Sequence, residues 1–515
     1  MSADPGVTTL RSRHLPYVAL ACILALAAFL RFHSIADRGF FFDELWIVGL
    51  SSGHGSAFMN MPVDTLLDQS NTVALPYARP IWEIPKHTTG AIHPPGTFVM
   101  LRLWREVFGD SVTSVRGFSA AWSVIVVALC FVAGRSALGT RAGLWAALMS
   151  AVSIGNIDQA QDVRGYTMLQ AELLLTVIVL LKLRGKPSSW PGAIAIGVGT
   201  LAMMYTHYFA AGACAAIVFG VITLVSGRTR WQTLAAITLA AIIWAITWLP
   251  HLRAQLALVP ETADGFLLDH TAYPLWSTLQ RLAASPYQSL IGDPRVLHPI
   301  TIVGGLLVVA ILIVRVRRKD VETKKVVRLW LAIIVGTLGT LLALDVARQT
   351  KHLEFMKYYV LINPALCVLF GSLVVWRHWL MPAVISVALT VLLFTTPVAP
   401  KPDLRPQMAW LKDRVGPDDV VILPSYNLLG RDGQVSYLFL AYAVPRERQR
   451  VIIPVDKPKP ELLDTLPKNA RWFYFAFARE YDPAVWLPGT EIIDRGPATE
   501  AAVYEVRRAA SDGRH

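Results

Sequence analysis

Apolar runs alternate with short polar connections over the first 400 residues, near positions 16–32, 115–134, 142–157, 166–182, 191–206, 208–226, 232–250, 299–316, 328–346, 358–375 and 379–397. A helix needs roughly 20 apolar residues to cross the hydrocarbon core, and several of these runs are shorter. The pattern nevertheless predicts an α-helical polytopic membrane protein with about 11 transmembrane helices. Past residue 400 the periodicity changes. "MAWLKDRVGPDDVVILPSY" predicts an amphipathic helix, a turn and a buried strand, and "ARWFYFAF" and "TEAAVYEVRR" predict further strands. The expected organisation is a transmembrane domain over 1–397, interrupted by a long first loop at 33–112, followed by a small α/β domain over 398–515. A tail of that size can hold a core of its own.

Composition supports the membrane reading. The chain is 54% hydrophobic and 16% charged, with mean hydropathy +0.46, whereas soluble domains carry about a quarter charged residues. Lys and Arg outnumber Asp and Glu by 48 to 36. In a polytopic protein that excess belongs to cytoplasmic loops, so nucleic-acid binding is discounted. With the N-terminus inside, the inner connections carry Arg135 and Arg141, then Lys182, Arg184 and Lys186, then Arg228 and Arg230, then "RVRRKDVETKK", then Arg377. Each is basic. Arg11 and Arg13 precede the first run without a small-residue cleavage site after it, so a retained first helix is expected. Cys22, Cys130, Cys214 and Cys367 sit far apart within apolar runs and read as small core residues.

The unusual polar residues gather on the opposite, outer face, where ionisable groups at a membrane edge mark sites. Asp43 and Glu44 stand side by side among aromatic residues just beyond the first run. They suit either a helix cap or a carboxylate in a partly dry pocket placed to take a proton. His93 opens an HPP turn whose prolines fix an extended backbone. Gln161, Asp162, Arg164 and Tyr166 crowd the turn "IDQAQDVRGYTML", and His207 lies in the "YTHYF" corner. Lys351, His352 and Lys357 precede the tenth run, where cations also serve as headgroup anchors. Tyr77, Trp82 and Trp46 in the first loop suit sugar stacking or an interfacial belt.

In combination, the Asp-Glu pair, the HPP turn, "FGDS…RGFSAAWS", "GRSALGTRAGLWAAL" and the Gln-Asp-x-Arg-x-Tyr turn resemble the bacterial membrane glycosyltransferases related to dolichyl-phosphate-mannose:protein mannosyltransferases and lipid A aminoarabinose transferases. The likeness is dense over residues 15–210 and follows by layout elsewhere. It implies the GT-C fold and a polyprenyl-phosphate-linked sugar donor. It also implies Asp43 and Glu44 as the catalytic carboxylates, with Arg164, Lys357, His93 and His352 on the donor phosphate. Gln161, Asp162, Tyr166, Trp82 and His207 would contact substrate. Asp162 stands where Glu is usual, and Lys357 occupies an Arg position. A lysine neutralises phosphate as a point charge without the bidentate fork, which shifts weight to Arg164.

The expected reaction is an inverting transfer of a hexose or pentose to an envelope glycan, glycolipid or protein hydroxyl, on the periplasmic or extracellular face of the inner (plasma) membrane, among membrane lipids. A base is needed on one side of the sugar and positive charge on the other. No organic cofactor is expected. A metal ion is optional, and no HExxH-type spacing occurs. Two other classes fit the same pattern less well. A transporter or lipid flippase would place charges at the bilayer midplane, and a non-catalytic envelope protein would tolerate loss of Asp43.

Overall fold

The computed structural model describes the chain apart from residues 1–4, 69–71, 92, 264–266, 293–296, 318–320, 374–402, 426–431, 455–462, 477–486, 488–489, 500 and 510–515. The helices begin with α1 (Pro5–Phe32), α2 (Phe42–Ser51), α3 (Ile84–His87), α4 (Gly96–Phe108), α5 (Val112–Leu138), α6 (Thr140–Val152), α7 (Ile154–Ala160) and α8 (Tyr166–Lys182). They continue with α9 (Trp190–Thr206), α10 (Ala210–Leu224), α11 (Gly227–Ala263), α12 (Pro274–Ile291), α13 (Pro299–Arg317), α14 (Val321–Arg348), α15 (Ile362–Leu373), α16 (Arg405–Arg414) and α17 (Asp432–Ala443). Two compact units divide the chain. The first holds residues 1–35, 92–97 and 116–399, and the second holds 36–91, 98–115 and 400–515.

The first unit is a helical assembly whose interior is filled by residues such as Leu173, Leu174, Ile217, Trp330 and Leu366. Phe29 on α1, Ile246 on α11 and Leu307 on α13 leave apolar surface uncovered. Helices apolar on every side are what a hydrocarbon surround requires. Among the described residues four segments are long and apolar enough to cross a membrane, namely His14–Phe32, Val112–Ala137, Gly227–Ala257 and Thr323–Arg348. Ala210–Leu224, Pro299–Val314 and Ile362–Gly371 are shorter apolar helices. The expected run at 379–397 lies outside the described residues.

Two differences from the expected spans have physical causes. The run at 142–157 is not one helix: it breaks into α6 and α7 at Ser153, whose ψ of 116° is extended. A break frees carbonyls that hydrocarbon cannot solvate. Arg31, fully buried, supplies the donors: its guanidinium reaches Ala151 O at 2.9 Å, Ser150 O at 2.9 Å and Ser123 Oγ at 2.7 Å. Secondly, α11 runs on past Pro250 to Ala263 instead of ending near 250, and α12 occupies much of the expected loop from His251 to Pro299. An amphipathic helix like α12 gives no continuous apolar run. Of the four cysteines expected in the core, Cys130 and Cys367 are buried and Cys214 is partly buried, but Cys22 is exposed on the apolar surface of α1.

The second unit is built on a mixed sheet of β1 (Leu67–Asp68), β2 (Val420–Ile422), β3 (Arg450–Ile452), β4 (Trp472–Ala476), β5 (Thr490–Arg495) and β6 (Ala502–Arg508). Their spatial order is β1-β3-β2-β4-β6-β5. β2 pairs in parallel with both β3 and β4, and the outer pairings are antiparallel. Every residue of β4 is buried, so both faces of the sheet centre are covered. α17 packs on β4, on α16 and on α2, and the edge strand β1 comes from the first loop. Loop and tail therefore share one core.

α2 is fastened inside this unit by Arg105, which is fully buried. Its guanidinium donates to Asp110 Oδ1 at 2.6 Å, Val48 O at 2.8 Å, Ser51 Oγ at 2.7 Å and Val73 O at 2.8 Å. A planar fork with several fixed donors is suited to such a junction.

Candidate functional site

In the first unit four polar connections converge. The HPP turn comes first: Pro94 and Pro95 are buried, and their ring-fixed dihedrals restrain the bend at His93. Gly96 lets this turn approach the end of α9, since a Cβ there would lie 2.6 Å from the Tyr205 carbonyl oxygen. A Cβ at Gly165 would likewise collide with the Thr97 side chain. The second connection, residues 161–165, is clamped to α5 through Ser119, whose hydroxyl accepts from Arg164 N at 3.2 Å and donates to Arg164 O at 3.0 Å. The third is the corner between α9 and α10. The fourth is the pair of 3₁₀ turns His352–Glu354 and Met356–Tyr359.

Their side chains form one aromatic and cationic cluster. The His207 ring lies 5.2 Å from His93, 5.5 Å from Tyr166 and 5.0 Å from Phe209, centroid to centroid. Phe209 meets His352 at 5.5 Å and Tyr358 at 5.3 Å. Lys357 Nζ sits 5.4 Å from the Tyr358 ring and 5.7 Å from that of Phe355, at cation–π range. The charges of Arg164 and Lys357 both act on His93 and His207. His93 keeps part of its surface accessible, yet its packed surroundings and these two cations push its pKa down to about 3. Burial, then His93 and the neighbouring cations, hold His207 well below the usual histidine value.

Two groups that sequence reasoning missed orient the cluster. Asp345, buried at the end of α14, accepts from the His352 backbone at 2.9 Å and from Leu353 N at 2.9 Å, and its Oδ1 is 2.8 Å from His352 Nδ1. An acid inside an apolar run was the signal available. Gln255, on the unforeseen extension of α11, donates to His93 O at 3.1 Å. It also accepts from the Tyr208 hydroxyl, which in turn accepts from Trp248 Nε1 at 2.7 Å.

The structure brings together Arg164, Lys357, His93, His352, Tyr166 and His207. Gln161 is on the same turn as Arg164 but points elsewhere, donating to His33 O at 3.2 Å. Asp162 is half-buried on that turn. Among the described residues no group of three His, Cys, Asp or Glu is placed to hold a metal ion. Two cations, the His93 and His207 rings held from taking a second proton, and aromatic faces have the chemistry to receive an organic phosphate.

Asp43, Glu44 and Trp82 belong to the second unit. Asp43 is half-buried on the first turn of α2. Glu44 is 1% exposed and accepts from Phe41 N at 2.8 Å, which is the reach-back of a third-position glutamate at a helix start. Phe42, Trp46 and Phe58 pack around that turn with centroids 6.0 to 6.3 Å apart. Trp82 is 68% exposed. Tyr77 donates to Glu447 Oε1 at 2.8 Å beneath the Arg446 guanidinium. A cavity of about 320 Å³ in this unit, walled by Phe40, Leu45, Leu404, Met408, Phe439 and Tyr442, contains none of the expected site residues.

Residues 92–252, which include the HPP turn, the Arg164 turn and the His207 corner, match the family described as Dolichyl-phosphate-mannose-protein mannosyltransferase. The fold is similar to that of ArnT from Cupriavidus metallidurans bound to undecaprenyl phosphate, with TM-score 0.55 and 13% identity over 94% of this chain and 97% of that one. The chain has a GT-C-type fold, and residues 92–252 within it are similar to the mannosyltransferase family. Two further solved structures resemble this chain. The Archaeoglobus fulgidus oligosaccharyltransferase has TM-score 0.46 and 9% identity, over 90% of this chain and 69% of that one. The arabinofuranosyltransferase AftD from Mycobacteria has TM-score 0.44 and 15% identity, over 97% of this chain and 42% of that one. Among curated proteins no sequence matches.

Proposed function

We propose that this GT-C protein transfers one sugar from a polyprenyl monophosphate carrier to a hydroxyl of an envelope glycan, glycolipid or protein, with inversion at the sugar. The observation that carries the reading is the cluster itself: Arg164 and Lys357 act together on the same two histidine rings, beside aromatic faces. In the transfer the acceptor oxygen forms a bond to C1 while the C1–O bond to phosphate breaks. The leaving phosphate keeps the electron pair, and the hydroxyl proton passes to a carboxylate. Cationic groups fixed before the reaction stabilise the departing charge without reorganising. Asp43 is the proposed base, on its place in the sequence pattern. Glu44 supports it by capping the helix that carries it.

The cluster's four connections are all ones that charge distribution assigns to a single face, opposite the basic loops. That supports an extracytoplasmic site in the inner (plasma) membrane, and with it the proposed count of about 11 spans. The C. metallidurans structure carries undecaprenyl phosphate, which accords with a long-chain carrier here.

Purified full-length protein in nanodiscs, given a polyprenyl-phosphate sugar labelled in the sugar, tests this. Release of polyprenyl phosphate with label transferred to envelope extract is the expected result, abolished by Asp43→Asn. Movement of intact labelled lipid across the bilayer without cleavage would instead establish the transporter reading.

A further inference from the structure

His207 is 8% exposed, and the two nitrogens of its ring are treated differently by the fold. The backbone N–H of Phe209 donates to Nδ1 at 3.2 Å, as the chain turns into α10. That nitrogen must therefore present its lone pair, and a neutral ring then carries its proton on Nε2. Nε2 is buried and has no hydrogen-bond partner among the described residues. Buried donors are nearly always satisfied, so an orphan one at a site implies a missing acceptor.

The neighbours of this nitrogen indicate what the acceptor is. From the HPP turn comes His93, from α8 Tyr166, from the turn before α8 Arg164, and from the turns before α15 Lys357 and His352. The fully charged members of that set are both cations. An anionic oxygen is the acceptor such surroundings would draw in, and a second proton on the imidazole is opposed by burial and by the same charges.

We propose that His207 is a tautomer-locked neutral donor whose Nε2–H binds a phosphate oxygen of the lipid-linked substrate, adding a directional bond to the charge supplied by Arg164 and Lys357. This deepens, and rests on, the proposed lipid-phosphate chemistry. It also gives the Phe209 amide a function: a backbone group holds the ring in the donating tautomer at every pH at which the corner stays folded.

The test measures binding of undecaprenyl monophosphate to full-length protein in nanodiscs, across pH 5.5 to 8, for wild type, His207→Phe, His207→Gln and Arg164→Ala. Loss of one hydrogen bond to a charged oxygen should weaken binding about 10- to 100-fold in His207→Phe. The Gln amide, an uncharged donor of similar reach, should restore most of it. The penalty should be constant with pH, and the salt dependence unchanged, because no charge is removed. Arg164→Ala should flatten the salt dependence.

Wild-type affinity in His207→Phe, with Arg164→Ala impaired, overturns the role of His207 alone. A penalty in His207→Phe that grows as pH falls below about 6.5 overturns the neutral state. Unimpaired binding in Arg164→Ala removes the phosphate site itself. Should His207→Phe fail to fold, nitrogen-15 histidine spectra of the wild type decide the matter. An unprotonated Nδ1 with a protonated Nε2 whose proton moves downfield on adding undecaprenyl monophosphate is expected, and a doubly protonated ring at pH 7, or a proton signal unmoved by the lipid, overturns the proposal.

Discussion

Arg105→Met is the sharpest structural perturbation of the helix that carries Asp43. Arg105 is fully buried, and its loss would remove the guanidinium from the Asp110 carboxylate, the carbonyls of Val48 and Val73 and the Ser51 hydroxyl, while Asp110 keeps the Leu75 amide and Val48 O keeps the Ser51 hydroxyl. Met fills most of the volume, so the cost is mainly electrostatic. Removing one partner of a buried ion pair costs about 3–5 kcal/mol, and each carbonyl hydrogen bond lost adds about 0.5–1.5 kcal/mol. Asp110 is 28% exposed on its side chain and recovers some hydration, which places the net effect near the lower bound, ~3–4 kcal/mol. At about 1.4 kcal/mol per tenfold, amides of residues 42–51 should exchange with solvent roughly two to three orders of magnitude faster. Hydrogen-exchange mass spectrometry of intact protein reads this directly. Turnover should fall with it, because α2 no longer holds Asp43 in place, while binding of polyprenyl monophosphate should persist. Exchange at 42–51 within threefold of wild type would refute the view that this guanidinium fastens α2.

Arg164→Ala should raise the donor KM by about 10- to 100-fold, the weight of a charge-assisted hydrogen bond. Lys357→Arg should stay within about threefold of wild type and Lys357→Ala should not, as steady-state kinetics would show. The His93 pKa, about 3 in the fold against 6.5 for an ordinary histidine, fixes a sign. Between those values the unfolded chain binds the extra proton, so stability contributed by neutral His93 is complete above about pH 6.5 and is lost as pH falls toward 3. Thermal scans at pH 7 and pH 5 should show a smaller acid-induced drop in His93→Gln than in wild type; equal drops would contradict the assignment.

The legible part of this fold was whatever repeats locally. Apolar runs at 166–182, 191–206 and 208–226 fall on α8, α9 and α10, and the aromatic-rich segments of the tail fall on β4 and β6. Hydropathy could not show the break at Ser153, because its cause is Arg31, more than a hundred residues away in sequence. The same blindness hid α12 and the extension of α11 that delivers Gln255 to His93. At the candidate site the residue types were readable as a pattern, and six of them meet in space. Asp345 stood out only as an acid inside an apolar run, and its pairing with His352, like the contacts of Phe209 and Tyr358, was not readable, since contact across distant turns leaves no periodic trace. Glu44 shows how an acidic pair divides: adjacent carboxylates on a helix start point to different surroundings, and its oxygen is consumed by the Phe41 amide.

The central claim is that the phosphate of a lipid carrier lodges among Arg164, Lys357 and the three histidines. Its most direct measurement is photo-crosslinking with a polyprenyl monophosphate carrying a diazirine beside the phosphate, followed by peptide mapping of the full-length protein. Labelling confined to peptides containing His93, Arg164, His207 and His352–Tyr358, and suppressed by unlabelled polyprenyl phosphate, is the predicted result. Suppressible labelling of the basic connections around Arg135–Arg141 or Lys182–Lys186, with those four peptides unmarked, would contradict it.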